Sequence, residues 1–146
     1  MPGWRDWLAD DIEAAGLQLP PLSSELQARI REKIPAYGSP ANPVDTTAQV
    51  LSHGGIAPVL PLVADSGEVD ALALVATLAD DKQIQREQDE LRALAKELPM
   101  VIYSYTRPFG RSLQLLEELG IAYFTSGSPA ARALAALATN PFIPNG

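Results

Sequence analysis

The sequence holds one histidine, His53, in the stretch SPANPVDTTAQVLSHGG spanning 39 to 55. An imidazole beside two glycines has the chemistry of a phosphoryl carrier, and the reading set against it is a polar residue on a loop or at a helix cap. In the same stretch, Asn42, Asp45 and Thr46 belong to NPVDTT. An Asn-Pro-x-Asp-Thr run builds a rigid turn, with the Asn side chain closing an Asx turn and Asp45 capping the helix that follows. The length of the loop also leaves a site role open to these residues.

Two further groups carry charge where chemistry could occur. Asp80 and Asp81 precede a helical pattern and read as its N-cap and first turn rather than as an acid/base pair. Arg107 and Arg111, in SYTRPFGR, could hold a phosphate or carboxylate, because a guanidinium fork matches such oxygens. Surface ion pairing is the reading favoured for both. Trp4 and Trp7 lie three apart on an apolar stripe, which assigns them to packing rather than to stacking on a nucleotide. No P-loop, no G-x-G-x-x-G after a strand, no Ser-His-Asp order and no metal-ligand cluster is present, so the chain alone is expected to catalyse nothing.

Composition narrows the classes further. The formal charge of −7 opposes a sequence-independent hold on nucleic acid or on an anionic membrane, both of which require clustered Lys and Arg. The absence of cysteine excludes disulfides, a thiolate nucleophile and sulfur-ligated zinc. The apolar runs GIAPVLPLVA and DALALVATLA fall far short of the ~20 residues of a membrane span. MPGWRDWLADD lacks the basic start and apolar run of an export signal, so a cytoplasmic protein is expected. A length of 146 residues corresponds to a single domain.

The elements that must position these groups follow from periodicity. Residues 4 to 15 form an amphipathic helix stopped by Gly16, and GLQLP is extended. Ser24 with Gln27 makes a capping box that opens a helix through Lys33. Residues 35 to 45 are a proline-rich loop, and a helical spacing in Ile56, Leu60 and Val63 follows it. DALALVATL then reads as a central parallel strand, residues 80 to 98 as a helix with one apolar stripe, and MVIYSYT as a strand. Pro108 starts a helix ended by Gly120, IAYFTS is a last strand, and SGSPAARALAALA is a helix with Ser128 as N-cap and Pro129 at its first position.

Strand and helix alternating in this way predict an α/β, three-layer, doubly wound parallel sheet. Ligands meet such sheets at the carboxyl ends of the strands, here 77 to 80, 105 to 110 and 125 to 128.

The order of segments resembles a known family. GLQLPPLSSELQARIREKIPAYGSPANPVDTTAQ, the strands VDALALV and MVIYSY, and the ending GIAYFTSGSPAARALAAL are similar to the second flavodoxin-like (CoA-ligase) domain of the NDP-forming acyl-CoA synthetases, relatives of succinyl-CoA synthetase. The likeness runs from about Leu8 to Leu137 and rests on NPVDTT together with AARAL.

Several expectations come with that resemblance. The fold would be flavodoxin-like and would lack the first strand, since the family domain opens with a strand before the helix that begins here at Gly3 and Trp4. The gap would be filled by self-association into a homo-oligomer, or the chain would be a fragment of a longer multidomain enzyme. The complete enzyme would join an acid to CoA with ATP or ADP and Mg, through an acyl phosphate and a phosphohistidine. That histidine lies in a preceding domain, on a loop like SHTGS, so SHGG at His53 falls in the wrong place for it.

The partners implied are companion CoA-binding and ATP-grasp domains or subunits, and no cofactor is expected in this domain. The residues implied to contact the phosphohistidine loop or an anion are Gly3 and Trp4 at a helix start, with Asn42, Asp45 and Thr46 as a second group. A stand-alone, noncatalytic binding module derived from that domain, and a small flavodoxin-like protein that binds a phosphorylated ligand by itself, are the competing readings.

Overall fold

A computed structural model describes residues 4 to 46, 58 to 76, 78 and 81 to 139. They fall into two compact units, one of Met1–Gln18 with Asp70–Gly146 and one of Leu19–Val69.

The first unit is a layered α/β structure. Its sheet has three strands, β1 (Leu72–Ala76), β2 (Met100–Ser104) and β3 (Ala122–Phe124), in the order β1-β2-β3. Both pairings are parallel, with Leu74 opposite Ile102 and Ile102 opposite Tyr123. Parallel neighbours need crossovers, supplied by the helices Lys82–Glu97 and Gly110–Leu119, here α4 and α5.

Alternate side chains of a strand face opposite ways. Ala73, Val101, Tyr103 and Phe124 therefore share one face, where they pack against Ala130 and Leu134 of α6 (Gly127–Thr139). Leu74 and the fully buried Ile102 point to the other face, on the side taken by the right-handed crossovers. Helix α1 (Trp4–Ala14) packs along α6, and α4 packs along α5. This three-layer arrangement around a parallel sheet is the flavodoxin-like fold expected from the sequence, with three strands among the described residues. The long apolar run does not make β1 central: among the described strands, β2 holds the middle and β1 an edge.

Local signals explain most boundaries. At Gly16 (φ 86°) and Gly120 (φ 71°) the chain turns left-handed, and the amides of Leu17 and Ile121 close back onto Ile12 and Leu116. Only glycine adopts that conformation cheaply, which is why both helices stop there. Helix α6 begins at Gly127, ahead of the Ser128 cap expected from Pro129, and Ser128 Oγ accepts instead from Arg132 at 3.1 Å. Trp7 departs from expectation as well. It is 58% exposed, and the buried face of α1 is formed by Leu8 and Ile12.

The second unit contains α2 (Ser24–Arg31) and α3 (Leu60–Ala64), with Leu22, Leu26, Ile30 and Val59 as its core. The cap of α2 is Ser23, one residue before the expected Ser24. Its hydroxyl accepts the Leu26 amide at 3.1 Å, and Gln27 turns to the carbonyl of Leu22. The reciprocal half of the capping box comes from far along the chain, because the Ser23 amide donates to Glu68 at 2.8 Å.

Candidate functional site

At the carboxyl end of β2 the backbone is tied to the loop after β1. Ser104, almost fully buried, donates from Oγ to the Thr106 carbonyl at 2.9 Å. The Leu78 amide donates to Thr106 Oγ1 at 3.1 Å, and the Phe109 amide donates to the Leu78 carbonyl at 2.6 Å. Leu78 is itself fully buried. Both polar groups of its backbone and its whole side chain therefore anchor one βα loop to the next.

These ties shape an open recess of about 390 Å³, lined by Ser104, Tyr105, Thr106, Arg107, Pro108 and Thr125. It lies where the β2 and β3 loops meet at the carboxyl edge, and among the described strands the order β1-β2-β3 does not reverse there. Position and alternation were legible in the sequence, which marked 105 to 110 and 125 to 128. The knitting by Ser104 and Thr106 was not, because the partner of Thr106 lies 28 residues away. Arg111 is turned to Gln114, at 3.3 Å, rather than to a carboxylate.

The group around NPVDTT is built differently. Asn42 donates from Nδ2 to the carbonyl of Pro20 at 3.0 Å, and the Asn42–Pro43 peptide is cis. Ser39 and Asp45 exchange backbone hydrogen bonds at 2.9 and 2.8 Å, closing the loop on itself. Arg31, which the sequence did not single out, reaches across with Nη1 to the carbonyls of Gly38, Ala36 and Pro35 at 3.0, 3.2 and 3.4 Å. Gly38 sits so close to Asp45 that a Cβ there would lie 2.5 Å from its carbonyl oxygen. The rigid turn is therefore present, but the Asn42 side chain reaches the distant Pro20 carbonyl rather than closing an Asx turn. Asn42, Asp45 and Thr46 are half-buried on it.

Trp4 opens α1 in the other unit. Gly3, His53 and Asp80 lie outside the described residues, as does the segment that Asp45 was expected to cap. Asp81 stands at the N-cap position of α4 and accepts from the Gln85 side chain at 2.9 Å. Among the described residues no group of His, Asp or Glu is arranged to hold a metal ion, and no helix is long and apolar enough to cross a bilayer.

No protein-family model matches the sequence, and no curated protein matches it either. Solved structures do. PH0766 from Pyrococcus horikoshii OT3 superposes with a TM-score of 0.76 at 20% identity, over 94% of this chain and 33% of that one. The dinucleotide-forming acetyl-coenzyme A synthetase 1 of Ca. Korarchaeum cryptofilum, in complex with phosphate and ADP, gives 0.74 at 18% identity, over 91% and 30%. Its apo form gives 0.71 at 17% identity with the same coverage. The chain thus spans about a third of the length of the solved chains it matches. The likeness read from NPVDTT and AARAL is borne out in the fold, which is that of one part of an acetyl-coenzyme A synthetase.

Proposed function

We propose that the chain serves as a noncatalytic, flavodoxin-like domain of an NDP-forming acyl-CoA synthetase. Such an acid-thiol ligase works through an acyl phosphate and a phosphohistidine carried on another domain. The observation that carries this reading is the superposition of 91% of the chain on a third of an acetyl-coenzyme A synthetase that binds phosphate and ADP.

In this role the domain contributes environment rather than bond-making groups. The start of α1 at Trp4, with Gly3 expected just ahead of it, turns the positive end of a helix dipole to the incoming phosphohistidine. The loop of Asn42, Asp45 and Thr46, which belongs to the other unit and is stiffened by Arg31, is a separate candidate for anion contact. CoA and ATP or ADP are handled by companion CoA-binding and ATP-grasp domains. Magnesium, which the resemblance implies for the complete enzyme, belongs with them.

Reconstitution tests the proposal. The chain combined with those companion domains restores acid-, CoA- and nucleotide-dependent thioester formation. A correctly assembled complex whose turnover is the same without this chain rejects it.

A further inference from the structure

We propose that the outer face of α1 is a docking surface for a cationic face of a companion domain, with Trp7 as its anchor and Asp10 and Glu13 paired to lysines or arginines around it. This rests on the reading of the chain as one domain of a larger ligase, and it names where a partner in that assembly sits.

Burial defines the face. Leu8 and Ile12 are the buried residues of α1, and the helix packs along α6. At about 100° per residue, Trp7, Asp10, Glu13 and Ala14 fall on the side turned away from Leu8 and Ile12. All four are exposed. Trp7 is 58% exposed, although rings of that size dominate the energetics of cores and interfaces alike. Tryptophan is enriched among the few residues that carry most of a binding energy, and its two side-chain torsions cost little entropy to fix.

Charge selects the occupant. The sequence of α1 holds four carboxylates and one arginine, and the whole chain carries a formal charge of −7. A second copy docked through this face would set Asp10 and Glu13 against their own counterparts, since a two-fold interface uses the same patch twice. Nucleic acid and anionic bilayers are repelled in the same way. A protein surface with lysines or arginines around an apolar pocket complements both the ring and the carboxylates. Most of an assembly of this kind lies outside the chain, which spans about a third of the solved chains it matches. The face runs along the side of the helix, so it stays clear of the start assigned above to the phosphohistidine. Asp10 and Glu13 lie about 9 to 14 Å of helix rise beyond Trp4.

The test titrates the full 146-residue chain with the CoA-binding domain and the ATP-grasp domain as separate arms, by calorimetry at two ionic strengths and by the indole resonance of Trp7. The expected result is that one arm binds, less tightly as salt rises, and that the Trp7 indole leaves water. Trp7→Ala should weaken binding by about tenfold or more, and Trp7→Phe should recover part of the loss. Asp10→Lys with Glu13→Lys should weaken it by about tenfold and remove most of its salt dependence. The same charge change on α5, Glu117→Lys with Glu118→Lys, should do far less damage, which separates a local contact from the field of the whole chain.

Every substituted side chain is exposed, so the variants keep the parent thermal midpoint and a loss of binding is not a loss of fold. Binding that Trp7→Ala leaves unchanged overturns the docking face, and so does a parent chain that binds neither domain. Turnover that needs the chain, in an assembly indifferent to Trp7→Ala, removes this inference and leaves the domain reading standing. Turnover that is the same without the chain removes that reading, and the docking face falls with it.

Discussion

Thr106 and Leu78 lie 28 residues apart, yet the Leu78 amide donates to the Thr106 hydroxyl at 3.1 Å and joins two βα loops at one edge of the sheet. Replacing Thr106 by valine keeps the shape and removes the acceptor, leaving a buried amide without its partner. The expected cost is about 1 to 3 kcal/mol in chemical denaturation, and Thr106→Ser, which restores a hydroxyl, should recover most of it.

Gly38 is fixed by a close approach rather than by a special dihedral angle. A Cβ would meet the Asp45 carbonyl at 2.5 Å, and the obstacle is backbone that cannot rotate away. Gly38→Ala should therefore break the Ser39–Asp45 pairing and destabilise the unit of Leu19–Val69 by about 1 to 3 kcal/mol, read as a lowered thermal midpoint.

Arg31 holds the same loop through three carbonyls. Its contacts are partly solvated, so Arg31→Ala should cost only about 1 kcal/mol. The loss should appear chiefly as faster proteolysis between 35 and 38. Lysine, a point charge without a planar fork, should restore this protection incompletely.

Glu68 makes acid stability testable. Its carboxylate accepts from the hydroxyl and amide of Ser23, and these hydrogen bonds hold its pKa below the ordinary glutamate value. A group depressed in the folded state stabilises above its unfolded pKa, and that contribution is lost as pH falls through the folded pKa. The parent protein should thus exceed Glu68→Gln in thermal midpoint at neutral pH, with the difference vanishing at strongly acid pH. A difference that stays constant with pH would show that the carboxylate charge is not involved.

Much of this architecture could be read from the chain, and the reasons for the rest are physical. Alternation of apolar runs and stripes, together with Gly16 and Gly120, is local information, and it placed three strands and their helices. Caps shifted by a residue or two where a distant group intervened. Glu68 takes the role expected within α2 because it is 45 residues away in sequence but adjacent in space. Trp7 shows the limit of periodicity, since a residue on the rim of an apolar stripe can face water while Leu8 and Ile12 fill the interface with α6. At the recess, types and position were visible. The Leu78 anchor was not, because no local pattern specifies which backbone groups a hydroxyl will meet.

The central place of β2 governs how the first unit breathes. Val101, Ile102 and Tyr103 are paired on both sides, by β1 and by β3, and Val101 and Ile102 are shut off from water. Their amides can trade protons with solvent only when the sheet comes apart. Deuterium uptake there measures the free energy of wholesale opening, whereas β3, with three residues and one neighbour among the described strands, yields to fraying first.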